Sequence, residues 1–144
     1  MTYTTNTEDE TIAFGRELAM RVLPASGLVL LIGNLGAGKT TLTKGIAEGR
    51  GAALRDEVSS PTFTLIHEYG DPPRVYHIDL YRLDEARQVA ALGLDEMLDR
   101  PGALVVIEWG ERFPELWPAE RTEIRIERES GGDRRIIEVK LVAA

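Results

Sequence analysis

Hydrophobic positions follow helical spacing in some segments of the chain and form short continuous runs in others. Helical spacing holds in the segment after Thr7, which with Glu10 fits a capping box, and again over residues 40–50. Apolar runs at residues 28–32 and 103–107 are typical of strands that are buried on both faces. The pattern therefore predicts a helix, a buried strand, a second helix and a later buried strand.

The remaining segments predict antiparallel strands and short helices. Residues 63–69 and 75–80 have the composition of strands, and the turn-forming segment 70–73 between them predicts a hairpin. Residues 84–98 predict two short helices. Apolar and polar residues alternate over residues 122–144 on both sides of a glycine-containing turn, which predicts a terminal β-hairpin with one wet face.

Length and element order predict how these pieces are organised. The 144 residues match the size of one domain, so we expect a single domain over residues 1–144. Strands mixed with helices predict an α/β fold whose sheet combines parallel and antiparallel pairs. Residues 1–7 precede the first predicted helix and are expected to be flexible.

Composition and charge exclude several classes of protein. The 24 acidic residues exceed the 17 basic ones, giving a net charge of −7, which argues against a stand-alone nucleic-acid binder. The absence of cysteine excludes disulfides, thiolate zinc sites and iron–sulfur clusters. The first ten residues are polar and acidic, unlike a signal peptide, and no apolar run approaches the ~20 residues that span a membrane. We therefore expect a cytoplasmic protein with no membrane contact.

A glycine-rich loop carries the clearest chemical signal. Residues 33–40, GNLGAGKT, fit G-x-x-x-x-G-K-[ST] at every fixed position and lie between a predicted strand and a predicted helix. In such a loop the backbone N–H groups face a phosphate, Lys39 reaches the β- and γ-phosphates, and the Thr40 hydroxyl can bind Mg²⁺. Thr41 is either a further phosphate contact or a residue of the helix surface. The expected nucleotide contacts are Asn34, Leu35, Gly36, Ala37, Gly38, Lys39, Thr40 and Thr41.

ATP is favoured over GTP by the scarcity of asparagine. Guanine is typically read by an N-K-x-D motif, and the two asparagines of this chain, Asn6 and Asn34, are not followed by lysine. A conventional GTPase is therefore disfavoured.

Two carboxylates follow predicted strands and are candidate partners of a magnesium ion. Glu108 follows the apolar run 103–107, at the Walker-B position, and Asp79 comes at the end of the strand that begins at residue 75. Either carboxylate could instead cap its strand or pair with Arg82 or Arg112.

Other polar residues allow two interpretations each. The hydroxyls of segment 59–62 could sense a γ-phosphate, as switch segments do, or belong to an ordinary turn. We interpret His67 and His77 as packed or solvated strand residues rather than ligands.

Four sequence blocks together resemble the TsaE family, formerly YjeE, the ATPase required for threonylcarbamoyladenosine modification of tRNA. The blocks are GNLGAGKT from Gly33, SPTFT from Ser60, HIDLYRL from His77 and IEWGER from Ile107. They occur in the family's order and at compatible spacing, and the resemblance covers about residues 8 to 118. It implies a three-layer P-loop NTPase-type core, binding of ATP and Mg²⁺, slow hydrolysis by the protein alone, and work with the partner proteins TsaB and TsaD. The family ATPase is not itself the transferase, and contact with tRNA would be only indirect, through that complex.

The resemblance also implies roles for individual residues. Lys39 matches the phosphate-binding lysine, and Thr40 and Glu108 match magnesium ligands. Asp79 matches an acid that positions the attacking water or helps to hold the metal, so the expected catalytic set is Lys39, Asp79 and Glu108. Three more positions match family residues near the nucleotide: Thr11, Thr62 and Trp109.

Two other functions remain open from the sequence. One is a small nucleotide or small-molecule kinase, although 144 residues leave little room for a lid or an acceptor site. The other is a binding module in which the nucleotide only sets the conformation.

Overall fold

Seven strands and four helices make up the regular structure of the part of the chain that the structure describes. The structure is a computed structural model that describes residues 1–61 and 65–143. The strands are β1 Thr2–Thr5, β2 Gly27–Ile32, β3 Ile66–Tyr69, β4 Val75–Asp79, β5 Leu104–Glu108, β6 Arg121–Arg128 and β7 Arg135–Val142. The helices are α1 Glu8–Arg21, α2 Lys39–Gly49, α3 Ala86–Ala90 and α4 Leu94–Leu98, and three short 3₁₀ turns are Arg55–Glu57, Gly110–Arg112 and Pro114–Leu116.

All seven strands belong to one mixed sheet, in the order β1-β7-β6-β2-β5-β4-β3. The four central strands, β6, β2, β5 and β4, are parallel, whereas β3, β7 and β1 pair antiparallel at the two sides. The carboxyl ends of parallel strands meet at one edge of a sheet, so the segments that follow β2, β4 and β5 start from the same edge. This edge carries the glycine-rich loop.

Helices cover both faces of the sheet and bury two hydrophobic clusters. On one face, Leu18 of α1 and Ile46 of α2 pack with alternate residues of the strands. On the other face, Val89 of α3 and Leu94 of α4 pack with the intervening residues. The result is three layers with a mixed sheet in the middle, which confirms the predicted α/β class.

Helix α1 begins as its sequence predicts and packs closely on α2. The hydroxyl oxygen of Thr7 accepts a hydrogen bond from the Glu10 backbone N–H at 3.0 Å, and the Glu10 carboxylate accepts one from the Asn6 N–H at 3.4 Å. Gly45 lies where the two helices cross, and a Cβ at this position would overlap the carbonyl group of Ile12. A glycine is therefore required for the observed approach.

The ends of the chain are parts of the sheet. Residues 1–7, expected to be flexible, include strand β1, which pairs with β7 from Thr2↔Glu138 to Thr5↔Arg135. Strands β6 and β7 pair with each other along their whole length, from Arg121↔Val142 to Arg128↔Arg135. In residues 1–61 and 65–143, no helix is long and apolar enough to cross a membrane.

Candidate nucleotide-binding site

The glycine-rich loop, residues 33–40, connects β2 directly to α2. Gly36 and Gly38 have φ angles of 80° and 108°, in the left-handed region that glycine adopts at little cost. Gly38 is the N-cap of α2 and has no side chain to accept hydrogen bonds from the first amides of that helix. The positive end of α2 is therefore open to an anionic ligand.

Lys39 folds back over the loop and is almost fully buried. Its side chain is 5% exposed, and its Nζ donates a hydrogen bond to the carbonyl oxygen of Gly33 at 2.8 Å. The same Nζ lies 3.9 Å from Glu108 Oε1 and 3.8 Å from the centre of a Trp109 ring. Burial lowers the pKa of Lys39, and the negative charges of Glu108, Glu111 and Asp79 oppose this shift.

Glu108 is held between a lysine and a histidine. It is the last residue of β5 and is 4% exposed. Its Oε2 forms a hydrogen bond of 2.5 Å with Nε2 of His77, while Oε1 faces Lys39. His77 is fully buried, and within residues 1–61 and 65–143 its Nδ1 has no hydrogen-bond partner. His77 is therefore a strand histidine, as interpreted, but one that fixes a candidate site carboxylate.

Asp79 lies level with Glu108 on the neighbouring strand. The register pairs Asp79 of β4 with Glu108 of β5, so the two side chains leave the sheet on the same face. Asp79 is 4% exposed, and its Oδ1 accepts a hydrogen bond from the Tyr81 N–H at 2.8 Å. Because its charge also acts on Lys39, the three residues of the expected catalytic set lie together at one edge of the sheet.

The other predicted nucleotide contacts lie in the loop, in the first turn of α2 and beside the catalytic set. Asn34, Leu35 and Gly36 are exposed at the loop tip, Ala37 is buried, and Thr40 and Thr41 are half-buried in the first turn of α2. Trp109 adjoins the site and packs against Tyr81, with ring centres 5.1 Å apart and ring planes tilted by 50°.

Thr11 has hydrogen-bond partners outside the loop. It is fully buried, and its hydroxyl group bonds to Thr5 Oγ1 at 2.7 Å and to the Thr7 carbonyl at 3.1 Å. These contacts join β1 to α1.

Two further residues named from the sequence are Thr62 and Arg112. Thr62 lies outside the described residues. The alternative partner Arg112 donates to the Tyr81 carbonyl at 2.8 Å and lies 3.5 Å from Asp84.

Two residues near the loop carry signals that sequence reasoning missed. Glu111 acts electrostatically on Lys39, and its Oε1 is buried without a hydrogen-bond partner in the described part of the chain. Arg135 of β7 is 2% exposed and contacts Gly38. The alternation of β7 could have drawn attention to Arg135, because it places this arginine in line with Ile137 and Val139 of the core.

A cavity of about 880 Å³ opens beside the glycine-rich loop. It is lined by loop residues 32–37, by the end of β6, by the turn between β6 and β7, and by Glu111. Its volume lies within the range of small-molecule sites. Most of the lining comes from the β6 side of the loop, but Glu111, which acts electrostatically on Lys39, brings the cavity next to the Glu108 side of the site.

The donor groups beside the loop suit a hard cation. Thr40, Glu108 and Asp79 offer only oxygen atoms, the ligands that Mg²⁺ prefers. Residues 1–61 and 65–143 contain no group of three or more His, Cys, Asp or Glu that could hold a metal by itself. A Mg²⁺ ion that arrives with a nucleotide needs only one or two carboxylates, because phosphates and waters complete its coordination. The residues present therefore fit such an ion.

The fold and the loop define an α/β protein with a P-loop NTPase-type core. The family model described as "Threonylcarbamoyl adenosine biosynthesis protein TsaE" matches residues 5–137. The chain is 43% identical to the tRNA threonylcarbamoyladenosine biosynthesis protein TsaE of Streptomyces coelicolor over 126 residues, 81% of this chain and 78% of that protein. It is also 43% identical to the protein of that name from Bacillus subtilis over 129 residues, 89% of this chain and 78% of the relative. The chain therefore belongs to the TsaE family of tRNA threonylcarbamoyladenosine biosynthesis, as its motifs indicate.

A solved structure supports the same conclusion. The fold is shared with the crystal structure of Bacillus subtilis YdiB, which matches with a TM-score of 0.76 and 36% sequence identity, over 99% of this chain and 86% of that chain. The match extends over the sheet and both helical layers, so the whole fold, and not the loop alone, is shared.

Proposed function

We propose that this protein is an ATPase that acts as an accessory subunit of a TsaB–TsaD complex in threonylcarbamoyladenosine modification of tRNA, and that it is not the transferase. The observation that carries the proposal is the meeting of Lys39, Glu108 and Asp79 beside an open helix N-terminus. A cation, two carboxylates and free backbone amides are the groups that phosphoryl transfer requires. Family membership supplies the tRNA-modification context.

The proposed mechanism begins with phosphate binding. The backbone N–H groups of the loop and of the first turn of α2 hold the phosphates, and Lys39 exchanges its bond to Gly33 for phosphate oxygens. Thr40 and Glu108 would hold a Mg²⁺ ion, which supplies charge neutralisation for the phosphates.

Asp79 positions the attacking water by accepting a hydrogen bond from it. The water attacks the γ-phosphorus, the bond to the β–γ bridging oxygen breaks, and ADP and inorganic phosphate leave. Lys39 and the loop amides stabilise the charge that develops in the transition state. The hydrogen bond from Tyr81 orients Asp79, and that from His77 orients Glu108.

Electrostatics favours nucleotide binding together with magnesium. Glu108, Glu111 and Asp79 all act on Lys39, so the site holds more negative than positive charge on this side. The whole chain is also negative, at −7. ATP without a cation would meet strong repulsion in such a site, and a bound Mg²⁺ would reduce this repulsion by neutralising part of the phosphate charge.

The negative charge also bears on tRNA. A chain with this charge lacks the basic footprint of a direct nucleic-acid binder, so tRNA would be reached only through the partner proteins. A role in tRNA modification fits a cytoplasmic location, which is part of the proposal.

Phosphate release from ATP, measured with and without TsaB and TsaD and with no small acceptor present, tests the proposal. We expect slow release by the protein alone and faster release in the complex. The Lys39→Ala variant serves as the control for contaminating ATPases. ADP formation that requires a small acceptor would instead identify a kinase. ATP-dependent assembly without hydrolysis, even in the complex, would identify a binding module.

A further inference from the structure

A buried arginine lies beside the glycine-rich loop without a charge partner. Arg135 is the first residue of β7, and its side chain is 2% exposed. Its Nη1 donates a hydrogen bond to the Asp133 carbonyl at 2.6 Å. Its Nε is buried without a partner, and no carboxylate of residues 1–61 and 65–143 forms an ion pair with it. A buried charge without a counter-charge is strongly disfavoured, so this position calls for an explanation.

The strand pattern makes the arginine more unusual. Strand β7 lies between β1 and β6, and its residues Ile137 and Val139 face the cluster beneath α1 and α2. Arg135 precedes Ile137 by two residues and therefore points to the same face. A charged residue at an inward position breaks the apolar pattern of a strand, and such exceptions concentrate at functional sites.

Arg135 contacts the loop at the start of α2. A Cβ built on Gly38 would lie 2.8 Å from Arg135 Nε and 3.3 Å from its Cδ. Since Gly38 is the N-cap of α2, the guanidinium lies at the positive end of this helix. Two positive features are thus adjacent, and no carboxylate of residues 1–61 and 65–143 forms an ion pair with the guanidinium. A phosphate bound by the loop would lie on the backbone that Arg135 touches and would attract both.

A second arginine, Arg50, shows how backbone carbonyl groups can compensate the charge of a partly buried guanidinium. Arg50 also has a buried Nε without a partner among the described residues. Its other nitrogens, however, donate to the carbonyls of Leu23, Pro24 and Ala25, just beyond the C-terminal end of α1. The negative end of a helix favours a cation. The contacts of Arg50 therefore account for its burial, whereas no carboxylate in the described part of the chain balances the charge of Arg135.

We propose that Arg135 is a positioning residue of the nucleotide site, which supports the loop at Gly38 and whose charge is balanced by the phosphates of the bound nucleotide. The proposal rests on the proposed function in one respect, namely that this loop binds phosphate. It implies that Arg135 destabilises the free protein but strengthens nucleotide binding. A purely structural role would imply the opposite for stability and no effect on affinity.

Arg135→Met, which keeps an apolar stem of similar length, separates these two roles in the full chain. We expect MgADP and MgATP to bind roughly ten- to a hundredfold more weakly, the effect of losing an interaction with a charged group. The melting temperature without nucleotide should stay the same or rise. Arg134→Met is the matched control, because Arg134 is the neighbouring residue but is 55% exposed. It should change neither quantity.

Each outcome bears on the proposal. Unchanged nucleotide affinity of Arg135→Met would overturn it, and a lower melting temperature beside that result would show a purely structural role. If Arg135→Met does not fold, Arg135→Lys and Arg135→Gln decide: the lysine variant, which keeps the charge, should bind MgADP about tenfold more tightly than the glutamine variant, and equal affinities would overturn the proposal.

The same titrations separate this proposal from the proposed function. If the unaltered chain binds neither MgATP, MgADP nor pyrophosphate, both fail. If it binds MgADP but does not hydrolyse ATP with its partners, only the proposed function fails.

Discussion

Two buried cations flank the glycine-rich loop, and they differ in how their charge is balanced. Lys39 lies on the β5 side, where Glu108 is 3.9 Å away and two further acids act on it. Arg135 lies on the β7 side, where its hydrogen-bond partner among the described residues is the carbonyl of Asp133. The cation on one side of the loop thus has acidic partners before any ligand binds, whereas the cation on the other side has none among the described residues.

The difference suggests a division of labour in the proposed site. A lysine surrounded by acids must exchange protein partners for phosphate, so it can respond to each step of hydrolysis. An arginine fixed against the loop has no acidic partner to exchange among the described residues, so it favours the bound state throughout. The acidic side would then control the rate of hydrolysis, and the arginine side would mainly control affinity.

Removing the acids should have the largest effect. Asp79→Asn and Glu108→Gln preserve shape and should slow ATP hydrolysis on the order of a hundredfold or more, because a water-positioning or metal-binding carboxylate is lost. Binding of MgADP should change much less. Single-turnover kinetics together with nucleotide titration would measure both quantities.

Glu138→Gln is the matched control for these two variants. Glu138 is an exposed residue of β7, and its substitution should leave the rate unchanged. Hydrolysis at the original rate in both acid variants would contradict the division between the two sides.

Replacing the lysine should act chiefly on binding. Lys39→Ala removes the cation that reaches the phosphates, and we expect roughly a hundredfold loss of MgATP affinity by titration calorimetry. Lys140→Ala is the control, since Lys140 is exposed on β7. Equal affinities of Lys39→Ala and the unaltered chain would show that the loop does not bind the nucleotide through this residue.

The separate parts of the site could be predicted from the sequence, but their pairing could not. The loop is a local pattern: strand, glycines, lysine and helix follow one another within about 20 residues. Glu108 and Asp79 can be recognised as candidate site residues from the sequence because each lies at the end of a buried strand. The contact of His77 with Glu108 depends on the register of β4 against β5, 31 residues apart, and spacing along the chain does not fix register.

The β7 side was harder to predict for the same reason. Arg135 lies against Gly38 because β6 pairs with β2 and β7 pairs with β6, a strand order that apolar patterns do not specify. Strand β1 was missed because its sequence, TYTT, is four residues long and has no apolar alternation. Its pairing with β7 provides the order that its own composition does not predict.

Substitution of His77 tests whether this residue holds Glu108 in position. His77→Leu removes the hydrogen-bond donor to Glu108. We expect the factor by which Mg²⁺ strengthens ADP binding to fall about tenfold, the usual effect of removing a group that is hydrogen-bonded to a metal-binding residue. His77→Gln can present an N–H at a similar place and should restore most of it. Binding of ADP in EDTA should be alike in both variants. Equal magnesium dependence in the leucine variant and the unaltered chain would rule out this positioning role.

The smallest expected effect comes from a balanced pair far from the loop. Glu48 of α2 accepts a hydrogen bond from Arg55 Nε at 3.0 Å, and this bond lowers the pKa of Glu48 from its usual 4.5. Because the folded pKa lies below the unfolded one, the pair stabilises the protein above about pH 4.5, and the benefit is lost as the pH falls through the folded pKa. Glu48→Gln should therefore lower the melting temperature by about 2 °C at neutral pH, and not at all in acid. A decrease that persists in acid would show that Glu48 acts through packing instead.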